Sequence, residues 1–218
     1  MKSMLKIMIV LALIFAATFV AVRATGIVTA DSVSAWLNAA GQADARSVIV
    51  IVVVLLVADL FVAVPTLTVM LLAGFFLGHG TAFASVMAGI TLAASTGYAL
   101  SRRFGEKLLL RLLRDPAEHQ EMVAAFAAHG PILMLLSRAA PMLPEVTWCM
   151  AGLTRMPVGR FYIWLLLGTA PYAVIATYAG SVSSMDDPMP AIYAVCGLYL
   201  TMWLGFALVR RKLALPSP

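Results

Sequence analysis

The chain has 218 residues, 62% hydrophobic and 11% charged, with a mean hydropathy of +0.97. This composition excludes a soluble globule and indicates a polytopic membrane protein. The net charge of +5 sits on basic residues placed between apolar runs, without an aromatic-interleaved basic patch, so nucleic acid is not an expected partner. Cys149 and Cys196 lie in apolar surroundings without metal or redox spacing and read as packing residues, with no disulfide framework and no metal site expected.

Lys2 and Lys6 precede an apolar run from Ile7 to Val22 that ends at Arg23. With Met4 and Leu5 the stretch reaches about 19 residues, close to the ~20 that a span needs, and reads as a first transmembrane helix. A cleaved signal peptide is the alternative, since a basic start, an apolar core and small residues near Ala24 also fit one. Thr25 to Asp44 is polar and alanine-rich; Asp31 and Ser32 are capping candidates for a short external surface helix carrying Val33, Trp36 and Leu37 at helical spacing.

Ser47 to Val64 resembles a full span, but Asp59 interrupts it and Pro65 follows. Thr66 to Leu77 is a second half-length apolar segment, ending in Gly78-His79-Gly80. The same arrangement recurs between Ser137 and Met156. There an apolar run too short to cross a bilayer, Pro131 to Leu136, leads into Arg138, Pro141, Pro144 and Glu145. Charges at mid-depth cost roughly 2.5 to 3.5 kcal/mol on insertion scales, so they usually face protein or a wet cavity and mark a functional site. Pro141 and Pro144 remove backbone donors, and broken backbone at that depth persists only where protein or water surrounds it.

The two broken stretches also continue alike. Leu72-Ala73-Gly74-Phe75 parallels Met150-Ala151-Gly152-Leu153, and each leads to one long apolar helix, Thr81 to Leu100 and Phe161 to Gly180. The reading is an internal repeat of a re-entrant hairpin plus a transmembrane helix. Twelve of the fifteen Lys and Arg fall on one face if both termini lie inside, the first hairpin enters from outside and the second from inside. The loop with Asp186 and Asp187 then lies outside. The expected fold is thus an all-α membrane protein with an inverted repeat, about four full spans and two re-entrant hairpins whose tips meet.

The expected organisation is residues 1–46 as first helix and surface helix, and 47–180 as the core. The core divides into repeat one (47–104), a cytoplasmic helix (105–129) and repeat two (130–180). Residues 181–218 supply an external loop, a last span and a basic tail. Ser85, Gly89, Ala93, Gly97 and Ser101 form a small-residue stripe suited to close helix packing. Gly168 and Pro171 predict a kink in the second long helix. Glu106 to Arg114 is amphipathic, either a connecting helix or one lying among anionic headgroups. Asp115-Pro116-Ala117-Glu118 reads as a helix start. His119 and His129 are expected to be solvated, and His79 is a weak candidate for a pH-sensitive group.

Arg138 with Pro141, then Ala151-Gly152-Leu153-Thr154-Arg155-Met156-Pro157 and Arg160-Phe161, resemble the second re-entrant loop of the DedA superfamily, membrane proteins with a VTT or SNARE-associated domain. Gly97-Tyr98 with Arg102 and Gly105, and Asp59 with Pro65, are similar to further motifs of that family; the resemblance covers about residues 47 to 180. The chain departs from it at Thr66, Leu67 and Thr68, where many members carry a second acid, and at Pro144-Glu145, where many carry a second arginine. The resemblance implies movement of lipids between leaflets of the cell membrane, with undecaprenyl phosphate or a phospholipid such as phosphatidylethanolamine as substrate.

The residue chemistry agrees with this implication. A guanidinium is a permanently charged, forked donor matched to phosphate oxygens, so Arg138 is the candidate phosphate site. Asp59 and Glu145 are candidates to neutralise it or to take up a proton, with Pro65, Pro141 and Pro144 shaping the tips. The alternatives are a proton-coupled transporter of a small anion, a structural assembly factor, and a buried charge cluster that only fixes the hairpins together. No cofactor is expected, and no enzymatic activity, since no nucleophile is paired with a base and Ser137 has no evident partner. The sequence leaves homo-oligomer formation open.

Overall fold

A computed structural model of the chain describes residues 7–13, 17, 20, 35, 44–62, 64–112, 116–139, 143–184 and 189–213. The expected surface helix at Asp31 to Leu37 apart from residue 35, the caps at Asp31, Ser32 and Asp115, Pro141, and the Asp186-Asp187 loop lie outside these residues, as does part of the first apolar run. Among the described residues the protein is all-helical. Helix α1 is Ala45–Ala58, α2 Thr66–Leu77, α3 His79–Leu112, α4 Pro116–Leu136, α5 Leu143–Leu153, α6 Val158–Val182 and α7 Met189–Leu213, with a 3-10 turn at Ser137–Ala139. Ile7 and Leu11, also helical, are buried against the core.

Valine and isoleucine dominate α1, a composition that in water favours strands. In apolar surroundings helix wins, because it satisfies every backbone group within the segment. Two helices are long and apolar enough to cross a membrane, His79–Gly105 within α3 and Val158–Val182, while Ala45–Ala58, Thr66–Leu77 and Met189–Thr201 are shorter apolar helices. The expected long helices are therefore present, and the interrupted segments end where Asp59 and Pro65 predict, α1 at Ala58 and α2 at Thr66–Leu77.

Prolines inside helices are accommodated differently. Pro116 opens α4, as the sequence indicates. At Pro131 the helix continues, although the ring nitrogen cannot donate to Ala127; Arg160 on α6 supplies the missing donor through Nη2 to the Ala127 carbonyl at 3.2 Å. Helix α4 therefore runs unbroken past residue 130. Helix α6 likewise continues through Pro171.

The packing is reciprocal. Short helix α2 lies on long helix α6, and short helix α5 lies on long helix α3. A Cβ built on Gly74 of α2 would stand 2.2 Å from the Thr177 carbonyl oxygen of α6, and one on Gly180 would stand 2.0 Å from the Leu71 oxygen. In the other pair, a Cβ on Gly152 of α5 would stand 2.2 Å from the Tyr98 oxygen of α3, and one on Gly105 would stand 2.1 Å from Leu153 Cδ2. At Gly74, Gly180 and Gly152 the neighbour is a backbone oxygen, and only glycine permits these approaches; at Gly105 it is the end of the Leu153 side chain.

Each long helix is also tied to the joint between the other pair of helices. Tyr98 Oη on α3 donates to the Met156 carbonyl between α5 and α6, and Arg102 Nη1 donates to Tyr98 Oη. Thr177 Oγ1 on α6 meets His79 Nδ1, at the joint of α2 and α3, at 3.1 Å. Helices α3 and α6 therefore run antiparallel. Arg102, Arg103, Arg155 and Arg160 gather at one end, and His79 lies at the other, about 28 Å along α3 from Tyr98 at ~1.5 Å per residue.

The small-residue stripe is consumed inside the molecule. Gly89 admits Leu56 and Val53 of α1, with Leu56 Cβ 2.9 Å from an added Cβ; Gly97 admits Leu60 at 3.1 Å and Cys149 at 3.8 Å; Ser85 and Ala93 are buried. Cys149 is buried as expected, but Cys196 is exposed on α7, so the packing role holds for one of the two.

Candidate functional site

The centre begins at the break after α1. Asp59 ends the helix and accepts two hydrogen bonds across the bend, from the Val64 backbone N–H to Oδ1 at 2.7 Å and from Thr66 Oγ1 to Oδ2 at 2.7 Å. Pro65 then caps α2, with φ at −70°. The loop is thus closed on the carboxylate that interrupts it. Thr66, noted in the sequence only as a missing acid, is the partner of the acid that remains.

The second break is built from α4, the 3-10 turn and α5. Gly168 of α6 lets the last turn of α4 approach, a Cβ there standing 3.1 Å from the Met134 oxygen and 3.4 Å from Leu135 Cα. Ser137 is buried and donates from Oγ to the same Met134 oxygen at 2.8 Å, which makes it a structural hydroxyl. The turn delivers Arg138 onto α6, where Nη2 donates to Thr169 Oγ1 at 3.2 Å. The guanidinium carbon lies 5.6 Å from the Trp148 ring centroid and 5.7 Å from that of Tyr172. Two aromatic rings therefore clasp the cation, an arrangement available to arginine through its planar, weakly hydrated group.

Glu145 sits in the first turn of α5, just after buried Pro144. It is 6% exposed, and its Oε2 has no hydrogen-bond partner. Few native carboxylates are left this way, because the desolvation cost is not recovered. Charge is nevertheless near: Arg138 lies within electrostatic reach of Glu145, Tyr172 and Asp59, and Glu145 within reach of Asp59. The positive end of α5 adds a favourable field at Glu145.

The structure thus brings Asp59, distant in sequence, within electrostatic reach of Arg138 and Glu145, and puts Pro65 and Pro144 at the starts of the two short helices. Gly89, Ala93 and Gly97 lie on the α3 packing stripe instead. His79 packs edge-on against Tyr178, ring centroids 5.7 Å apart, at the far end of α3. Trp148, Thr169 and Tyr172 are the residues that sequence reasoning missed. Their one signal was a polar pair, three residues apart, beside the proline of an apolar helix. No group of three or more His, Cys, Asp and Glu suited to a metal occurs among the described residues.

Thr169 stands near the middle of α6, about 17 Å from its start and about 20 Å from its end at ~1.5 Å per residue. A family model described as the VTT domain matches residues 64–182, which include every residue of this centre except Asp59, just before it. No curated protein and no solved structure matches the chain.

Proposed function

Because the chain belongs to the VTT-domain family, the DedA/SNARE-associated family of membrane proteins, we propose that it moves a phosphate-bearing lipid between leaflets. In this reading the two broken stretches, 47–77 and 131–153, are re-entrant hairpins related by an inverted repeat. The headgroup passes between their tips while the tail remains in lipid. Arg138 receives the phosphate, as a forked donor for its oxygens. Undecaprenyl phosphate and phospholipids are the substrates to try first. The protein is placed in the cell (inner) membrane with both termini cytoplasmic, a topology supported by the gathering of Arg102, Arg103, Arg155 and Arg160 at one end of the antiparallel α3 and α6.

The observation that carries the proposal is the position of Arg138, clasped by Trp148 and Tyr172 at mid-length of a helix long enough to span. A cation at that depth is costly to place and is seldom retained without a task. The test is reconstitution in liposomes with a leaflet-specific fluorescent lipid, comparing wild type with Arg138→Ala at matched incorporation. Faster signal loss with wild type alone supports translocation through this site. If both match empty liposomes across zwitterionic, anionic and polyprenyl-phosphate lipids, the proposal fails and a soluble-anion transporter takes its place.

A further inference from the structure

The two acids of the centre are in different chemical situations. Both oxygens of Asp59 are occupied by donors of its own loop, Val64 N–H and Thr66 Oγ1. Glu145 has a buried oxygen without a partner, and Arg138 lies within its electrostatic reach. It also stands in the first turn of α5, where a helix end favours any anion, phosphate included.

On the reading that Arg138 is the phosphate site, we infer that Glu145 is its exchangeable counter-charge and Asp59 only a brace of the first loop. With the site empty, the Glu145 carboxylate balances the guanidinium. An arriving phosphate takes the position beside Arg138 and the α5 end, and the carboxylate's repulsion then helps to expel it. Asp59 is held instead by its own loop, each oxygen already accepting a hydrogen bond there.

Substitution separates the two roles. In Asp59→Asn the amide oxygen keeps the Val64 bond and the amide nitrogen donates to Thr66 Oγ1. The threonine hydroxyl has a second acceptor waiting in the Val64 carbonyl at 3.4 Å. Glu145→Gln keeps shape and removes charge.

The experiment titrates purified wild type and variants in detergent with dihexanoyl phosphatidate, then measures lipid translocation by the same proteins in liposomes. Glu145→Gln is expected to bind about fivefold tighter than wild type, the scale of removing one like charge, and to reach a lower maximal rate. Asp59→Asn is expected within about twofold of wild type on both measures, and Arg138→Ala to bind undetectably. A merely structural Glu145 would not tighten binding. Binding by Glu145→Gln equal to or weaker than wild type, no binding by either, or the same tightening in Asp59→Asn overturns the inference. Where Gln lowers the melting temperature, Glu145→Met repeats the test with the volume filled. If the binding order holds but wild type moves no lipid, translocation fails while the counter-charge assignment stands.

Discussion

The hydroxyl of Thr66 and the amide of Val64 take up both oxygens of Asp59, so the charge that breaks the first apolar stretch also holds the break closed. Thr66→Val keeps the volume and deletes one of these bonds. It is expected to lower stability by about 1–3 kcal/mol, the range for a bond to a charged group, measured by unfolding in mixed detergent. At Arg138 the guanidinium carbon lies 5.6 and 5.7 Å from the ring centroids of Trp148 and Tyr172. Arg138→Lys retains the charge as a compact point and loses the forked set of donors. Translocation is expected to fall at least about tenfold, and full activity in the lysine variant would show that charge alone suffices.

Among the elements, glycine contacts set how closely short and long helices approach, and they predict a graded series. Gly152→Ala and Gly180→Ala place a Cβ against backbone oxygens at 2.2 and 2.0 Å. Each requires two helices to separate, and a loss of about 3 kcal/mol or more is expected. Gly89→Ala meets the Leu56 side chain at 2.9 Å, where some repacking is available, and should cost less; Gly197→Ala meets nothing within 4 Å and should be silent. Melting temperatures that fail to follow this order would contradict the close-packing account. Gly78 differs, since an added Cβ meets nothing there, but φ of +71° and ψ of 160° suit only glycine. Gly78→Ala is expected to cost about 1–3 kcal/mol through backbone strain alone.

For the whole molecule, the two ties between halves, Tyr98 to Met156 and Thr177 to His79, lie about 28 Å apart along α3 at ~1.5 Å per residue and share no partner. Tyr98→Phe and Thr177→Val should each cost about 1 kcal/mol, and the double variant should equal their sum within ~0.5 kcal/mol. A large excess would mean that the ties cooperate across the molecule. The proposed orientation is tested by single-cysteine labelling in a Cys149→Ala, Cys196→Ala background. Reagents that do not cross the membrane should reach a cysteine at Gly80 from outside and one at Gly159 only after permeabilisation; the reverse pattern would invert the topology. Both positions leave an added Cβ in open space.

Sequence alone determined the helical class, the breaks at Asp59 and Arg138 and the ends of α2. All of these follow from local apolar length and from residues that interrupt it, and such features act over a few neighbours along the chain. It also singled out Arg138 and both acids, because a charge inside an apolar stretch is conspicuous wherever it lies. Only the tertiary structure decided which partners those charges have. Trp148, Thr169 and Tyr172 reach Arg138 through helix packing, across sequence distances that leave no periodic mark. The distinction between an occupied Asp59 and an unpartnered Glu145 has the same origin, since hydrogen bonds across a bend depend on where the backbone returns. The small-residue stripe shows the division most plainly: its spacing foretold close packing, but that α1 and α5 of the same chain would fill it was settled by the fold.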